Sequence, residues 1–526
     1  MIRMGIDLEI KIVLALLVFV AALVTVARRF AIPYPILLVV GGLAFGFIPQ
    51  LPTIILEPQI ILLLFLPPLL YWEALNLSFR DFRANLSPIL LLSIGLVAFT
   101  TLVVATIAHS FILDLNWPAA FVLGAIVSPT DSVAGAAIAE RLVLPRRVVT
   151  IMEGESLVND ATALVAYSVA LASIGNAVTI PQIGLQFLVV SVGGIVVGLL
   201  IGVGVGQVRR YLHDPPVENT ISLLTGFAAY IPAQLLDVSG VLAVVATGIY
   251  LGRRGPSVIS SQTRLQAQQI WQIVVFLVNG LIFILVGLQL RTIAQEAMRE
   301  YTLLTLLLYA ALVSVVVILI RLIWIFPATY LPRLLSRRVR ERNPSPPWQN
   351  VTILGWMGMR GGVSLAAALA IPTDFPGKDL ITFLTFCVIL ATLLVQGLSL
   401  PFLIRRLRLQ DDGSAEFEES KARLKVARAA LARLDELANE SWVQADHIDD
   451  LRTHYSEQHD RFAARFTDKE NDGQEERATA YMRLKREIIK SERTVLIELR
   501  RSNLINDEVM RRVQQDLDLE EVRLSG

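Results

Sequence analysis

Only one cysteine, Cys387, occurs in the 526 residues, and it lies in an apolar run. A single thiol cannot close an intrachain disulfide, and no Cys/His zinc spacing accompanies it. Histidine is nearly as scarce. His447, His454 and His459 fall in the charged C-terminal part, His213 in a loop, and His109 near one end of an apolar run. No metal-ligand pair and no HExxH pattern sits in an apolar segment, which leaves a membrane-embedded enzyme without a reactive constellation. A glycine-rich phosphate loop ending in Lys-Ser/Thr is also missing, which argues against an ATP-driven pump. Neither a cofactor nor a nucleic-acid partner is expected. Charge is the most telling shortage. Residues 1–410 are about 11% charged, whereas residues 411–526 carry 20 Lys+Arg and 27 Asp+Glu, roughly 40%. The formal net charge of +1 therefore conceals a first part of about +8 and a second of about −7.

What replaces charge is apolar length. Hydrophobic residues make up 54% of the chain, and mean hydropathy is +0.59. Uncharged runs long enough to cross a bilayer recur from Ile10 to about Phe402. The first is expected to be a spanning helix, not a secretory leader. Arg3, Asp7, Glu9 and Lys11 precede it with mixed charge, and Arg28 and Arg29 follow it in place of a small-residue cleavage site. About thirteen spans result, centred near Leu17, Val40, Leu64, Ile107, Leu123, Ala163, Val197, Ala228, Val245, Phe283, Val313, Leu365 and Val388. Arginines cluster after every second span, at Arg28 and Arg29, Arg80 and Arg83, and Arg141, Arg146 and Arg147. They return at Arg209 and Arg210, at Arg253, Arg254 and Arg264, at Arg333 to Arg342, and at Arg405 to Arg408. The alternate loops are poor in them, and Leu113–Trp117 and Ser173–Gln182 have none. Positive loops stay cytoplasmic, so the amino terminus is expected outside and the charged tail inside.

Charges within the spans are few: Glu73, Asp131, Glu153, Glu155, Asp160, Arg321 and Arg360. At the centre of a spanning helix each costs about 2.5–3.5 kcal/mol on insertion scales, so such residues normally face protein or a water-filled path. The sixth span carries three acids beside Asn159. In Glu153-Gly-Glu-Ser-Leu-Val-Asn-Asp160, the spacing i, i+3, i+7 puts Glu153, Ser156 and Asp160 on one face. Glu155 and Asn159 share an adjacent face. Glu153 reads equally well as an acid near the helix start at the membrane edge.

The fifth span contains Ser128-Pro-Thr-Asp-Ser132. Proline removes an amide donor and disfavours helical geometry just before it, so a break is expected at mid-depth, with Thr130 and Asp131 in it. Gly355-Trp-Met-Gly-Met-Arg-Gly-Gly362 in the twelfth span predicts a second break centred on Arg360. Seven spans separate the two, and an odd offset reverses orientation. Spans one to six would repeat inverted as eight to thirteen, with the seventh as connector. Paired broken helices of this kind mark transporter sites near the midplane. Hard oxygen ligands suit an alkali cation. Asp160, Asp131, Ser156 and the Thr130 carbonyl are the expected sodium ligands, with Glu73 behind them. A carboxylate holds a proton or a cation but not both with comparable affinity, and burial brings the proton into contention. Exchange follows if the site reorients only when loaded. One exchanging carboxylate, Asp160, beside neutral Asn159 suggests one proton per cation.

Three of these stretches, Ser128-Pro-Thr-Asp-Ser-Val-Ala134, Glu153-Gly-Glu-Ser-Leu-Val-Asn-Asp-Ala161 and Gly358-Met-Arg-Gly-Gly-Val363, resemble the cation:proton antiporters of the NhaP and sodium–hydrogen exchanger type. The resemblance covers roughly Ile10 to Arg408. It implies an inverted-repeat fold, a core domain moving against a dimerisation domain, and a homodimer. It further implies that Asp160 carries the ion and that the Asn159-Asp160 pair goes with electroneutral exchange. By the same pattern Glu155 is the ion-pair partner of a buried arginine, Arg321 first and Arg360 second. Thr130 and Asp131 are the unwound-helix ligands with Asn159 bridging to them, and Glu73 matches an acid found behind the site in some members only.

The expectation is thus an all-α polytopic membrane protein. A transmembrane domain of about thirteen helices, with inverted repeats and two broken crossing helices, fills residues 1–410, and a helical cytoplasmic tail fills residues 411–526. It would lie in the cell membrane and exchange Na⁺ or Li⁺ for H⁺ by alternating access, with K⁺/H⁺ exchange as the alternative. A cation channel is the remoter reading, since no repeated filter sequence occurs. Apolar residues at three- and four-residue spacing predict tail helices over Ala422–Leu437 (Leu424, Ala427, Leu431, Leu434) and Leu484–Leu504. These favour a helical bundle packing on itself or on its dimer mate. No partner of the tail is legible.

Overall fold

The computed structural model describes residues 2–30, 33–46, 58–112, 114–139, 144–173, 180–212, 214–258, 260–342, 345–372, 374–409, 413–438, 440, 442–464, 472–502, 504 and 507–525. Leu113, Arg141, His213, Asp411 and residues 174–179 lie outside the described residues. Among the described residues there is no strand. By contacts the chain divides into two compact units, Met1–Asp411 and Asp412–Gly526.

In the first unit the helices are α1 (Ile2–Arg29), α2 (Tyr34–Gly46), α3 (Pro58–Asn76), α4 (Phe79–Ala84), α5 (Leu86–Leu90), α6 (Val97–Phe111), α7 (Trp117–Val127), α8 (Ser132–Ala139), α9 (Arg146–Ala172) and α10 (Ile180–Arg210). They continue as α11 (Pro215–Leu235), α12 (Gly240–Val258), α13 (Ser261–Ala297), α14 (Leu303–Leu335), α15 (Arg337–Arg342), α16 (Trp348–Trp356), α17 (Gly362–Leu369), α18 (Lys378–Ala391) and α19 (Gly397–Leu407). Two π-helical turns, Leu91–Leu96 and Thr392–Gln396, join α5 to α6 and α18 to α19. Each centre read from hydropathy lies in one of these helices. Among the described residues, five helical stretches are long and apolar enough to cross a membrane: Leu86–Phe111, Gly184–Arg210, Gln262–Ala297, Leu303–Leu335 and Lys378–Leu407. α9, which carries Glu153, Glu155 and Asp160, is not among them.

Lipid tails are as apolar as leucine, so close backbone approach rather than hydrophobicity holds such helices together. A Cβ added to Gly42 of α2 would strike the Ile284 carbonyl of α13, and one on Gly287 would strike the Val39 carbonyl of α2. Buried side chains form two clusters. The larger spans α1, α2, α6, α7, α14, α16, α17, α18 and part of α13. The smaller gathers α3, α11 and α12 around Trp271. Trp271 stacks on Trp72 at 5.4 Å and donates its Nε1 hydrogen to Ser222 Oγ at 3.1 Å. Helix α9 belongs to both clusters, giving Ile151 and Met152 to the first and Leu157 and Ala161 to the second. The acid-bearing helix therefore runs along their seam.

Both expected breaks are present. α7 stops at Val127 and α8 resumes at Ser132; α16 stops at Trp356 and α17 resumes at Gly362. They cross, because the Asp131 amide donates to the Met359 carbonyl at 2.8 Å.

The second unit holds α20 (Ser414–Leu437), α21 (Ala445–Ala464), α22 (Asp472–Arg501) and α23 (Asp507–Ser525). α20 pairs with α21, and α22 with α23. Ala427 and Leu434 are buried as expected of a core stripe. The Leu484–Leu504 expectation overshoots, because the helix ends at Arg501 and Leu504 lies exposed beyond it. Arg452 with Asp435 (2.6 Å) and Lys485 with Glu520 (2.9 Å) tie the two pairs across their surfaces.

Candidate functional site

Each break leaves two kinds of unsatisfied end, carbonyls where a half-helix stops and amides where the next one starts. Arginines meet the carbonyls. Arg321, from α14, donates through Nε to Gly355 O (3.1 Å) and through Nη2 to Leu354 O (3.0 Å), at the end of α16. Arg360 donates through Nε to Val127 O (2.9 Å), at the end of α7, and through Nη1 to Gly358 O. A cation at a helix C-terminus also complements the negative end of its dipole. Asp131 meets the amides. Its Oδ1 accepts from Val133 N at 2.8 Å, in the first turn of α8. Its carboxylate also lies where a Cβ on Gly361 would be, at the start of α17. Gly358 has the matching role for Arg321, since a Cβ there would overlap the guanidinium. Gly358 and Gly361 are thus explained by the two charges that must come close, and Gly362 by the Ile282 side chain packed against it.

Glu155 and Arg321 form a buried ion pair, with side chains 1% exposed on each side. Arg321 Nη1 donates to Glu155 Oε1 and Nη2 to Oε2 (3.0 Å). Thr130 Oγ1 donates to the same Oε1 at 3.0 Å, and Asn159 Nδ2 donates to Thr130 Oγ1 at 2.8 Å. A chain of bonds therefore runs from α9 through the first break and back through Glu155 to Arg321. The Thr130 hydroxyl is committed to it, so what Thr130 could offer a cation is its carbonyl. Arg360, second choice for Glu155, makes no ion pair among the described residues and bonds carbonyl oxygens instead.

Beside this network lies a cavity of about 50 Å³. Glu73, Thr130, Asp131, Ser156 and Asp160 all line it, and Phe65, Leu66, Leu69 and Leu70 of α3 supply apolar wall. That volume holds a few water-sized groups. Asp160 is 6% exposed and makes no hydrogen bond to protein among the described residues. Ser156 Oγ accepts from Ser132 N at 3.2 Å. Glu73 accepts from Ser132 Oγ at 3.3 Å. The cavity thus brings together all the expected oxygen donors. Asn159 does not line it, and its buried Oδ1 accepts no hydrogen bond among the described residues. Glu153 is half-buried in the third turn of α9 and also lies outside the lining.

Three polar residues here were not singled out from sequence. Asn279 of α13 and Ser364 of α17 line the cavity, and Ser132 links Glu73 to the first break. Asn279 interrupts an apolar run and could have been noticed; a serine carries too small an insertion penalty to stand out.

A family model described as sodium/hydrogen exchanger, transmembrane, matches residues 14–406. An uncharacterised Na⁺/H⁺ exchanger of Mycobacterium tuberculosis is 38% identical over 99% of this chain and 97% of its own length. A sodium, potassium, lithium and rubidium/H⁺ antiporter of Bacillus pumilus is 30% identical over 82% of this chain and 67% of its own. The solved sodium proton antiporter MjNhaP1 of Methanocaldococcus jannaschii superposes with a TM-score of 0.59 at 20% identity, over 76% of this chain and 99% of its own.

Proposed function

The chain belongs to the sodium/hydrogen exchanger family, and on that footing we propose that it exchanges Na⁺ or Li⁺ for H⁺, one for one, at the Asp160 cavity. The observation that carries this reading is the state of Asp160, a buried carboxylate that opens on a cavity and, among the described residues, spends no lone pair on a protein donor. Its companions in the cavity are hard oxygens: Asp131, Ser156 and the Thr130 carbonyl as cation ligands, with Glu73 held behind by Ser132. Cation and proton compete for the Asp160 oxygens. Glu155 is withdrawn from that competition by Arg321 and Thr130. Asn159 is neutral and tied to Thr130, so the exchange moves one charge each way and is electroneutral.

The cavity lies between α3 and α13 on one side and the crossing with α9 on the other. Movement of those two groups past each other would open it alternately to the two faces of the membrane. A homodimer built through the half that contains α3, α11 and α12, with the amino terminus outside and the tail in the cytoplasm of a cell-membrane protein, completes the proposal. K⁺/H⁺ exchange is the second reading, favoured by the Bacillus pumilus relative, whose name spans four alkali cations. The test is a dequenching assay in proteoliposomes comparing Na⁺, Li⁺ and K⁺ across pH. Proton movement driven by Na⁺ and Li⁺ and little by K⁺ supports the first reading, the opposite order supports the second, and no response to any of the three rejects both.

A further inference from the structure

Two neutral polar side chains on the Asp160 cavity have no hydrogen-bond partner among the described residues. Asn279 of α13 is 3% exposed, Ser364 of α17 is 1% exposed, and both line the cavity. Their places are fixed by one close contact. A Cβ added to Gly362 would strike the Ile282 side chain, so the start of α17 lies against α13. Asn279 sits one turn before Ile282 on the same face of α13, and Ser364 follows Gly362 by two residues. A polar residue that serves helix packing meets a partner, as Thr247 of α12 meets the Gly198 carbonyl of α10 at 2.7 Å. Asn279 interrupts the apolar run 274–282 and meets none, which is costly within a membrane span unless something else occupies its amide.

Both residues offer a hard neutral oxygen, Asn279 Oδ1 and Ser364 Oγ, to a cavity whose charged members are carboxylates. An alkali cation stripped of water needs oxygens on every side. The ligands assigned so far, Asp160, Asp131, Ser156 and the Thr130 carbonyl, all come from α9 and the first break, and the other α13 residues of the lining, Ile282 and Phe283, are apolar. We propose that Asn279 and Ser364 are further ligands of the transported cation and set its preference over the proton. The proposal rests on the assignment of the Asp160 cavity as the transport site. A proton needs one Asp160 oxygen and no others, so the neutral oxygens strengthen cation binding and leave proton binding unchanged. Neither group titrates near neutral pH, so neither adds a proton to the cycle. Asn279 also comes from the side of the cavity opposite α9. A cation held by both bridges α13 and α9, which a proton on Asp160 does not.

The test follows exchange in proteoliposomes with whichever of Na⁺, Li⁺ and K⁺ the wild type carries best, and reads its apparent Michaelis constant across pH. Asn279→Ala and Ser364→Ala should each raise that constant about tenfold at every pH, the order expected when a charged group loses one neutral polar partner. The maximal rate should hardly change, and the pH at which the constant begins to climb should stay where it is. A purely structural role would instead lower folded yield and maximal rate without displacing the constant. Ser364→Ala removes one atom and introduces the best helix former, so it reports even if the larger truncation does not fold. Asp160→Asn is measured alongside. Exchange retained in Asp160→Asn overturns the cavity assignment and this proposal together. Exchange lost in Asp160→Asn, with the constant unchanged in both alanine variants, overturns this proposal alone.

Discussion

Asp160 and Glu155 are five residues apart on one helix and have opposite surroundings. Glu155 receives hydrogen bonds from Arg321 at both oxygens and from Thr130; Asp160 has the cavity. Asp160→Asn keeps the shape and removes the charge. It should lower cation-driven proton movement in proteoliposomes to background while folded yield stays normal, and activity near wild type would remove Asp160 from the carrier role. Glu155→Gln should act the other way, chiefly on folding. It leaves Arg321 uncompensated in a buried site, a loss of about 3–5 kcal/mol, read as a fall in monodisperse yield. Normal yield with lost transport would make Glu155 a carrier instead. The sequence displays these acids because charge in a spanning helix stands out against its apolar surroundings. It does not display which arginine meets Glu155. Arg321 lies on α14 and Arg360 in the second break, and only the crossing decides that one binds the acid and the other the carbonyls at Val127 and Gly358.

The broken helices are readable because their causes are local. Pro129 removes an amide, and Gly358, Gly361 and Gly362 leave room for Arg321, Asp131 and the side chain of Ile282. The π-helical turns at Leu91–Leu96 and Thr392–Gln396 have no such mark. Leu-Leu-Ser-Ile-Gly-Leu reads as ordinary apolar helix, and its irregularity shows only in packing, where Trp324 donates its Nε1 hydrogen to the Leu91 carbonyl at 3.2 Å. Asp131 is the group that binds the half-helices into one element. Asp131→Asn removes negative charge beside the starts of α8 and α17. With dipole terms of about 0.3–1 kcal/mol per helix start, and up to about 2 where partly buried, the melting temperature should fall by a few degrees. An unchanged melting temperature would show that the charge does not cap the breaks. Close backbone contact is the second device at this scale. Gly287→Val would press a branched side chain onto the α2 backbone at Val39 and Leu43; lower detergent-extracted yield is the expected result, and a normal yield would mean that α2 and α13 tolerate a wider spacing.

At the scale of the whole molecule, charge distribution alone separates a membrane part from a charged tail near residue 410, because one part is solvated by lipid and the other by water. What hydropathy cannot reveal is the division of the membrane part into two clusters with α9 on their seam, since both are equally apolar. The proposed site lies on that seam, and the proposed electroneutral cycle has a direct consequence. An imposed membrane voltage should hardly alter the exchange rate in proteoliposomes, and strong voltage dependence would exclude one-for-one exchange.

The most direct measurement of all is the apparent Michaelis constant for Na⁺ as a function of pH in proteoliposomes. If proton and cation compete for the Asp160 oxygens, it rises as pH falls, approaching about tenfold per pH unit on the acid side, while the maximal rate hardly changes. A constant that stays flat across pH, with the proton altering only the maximal rate, would mean that the two ions are bound at separate places.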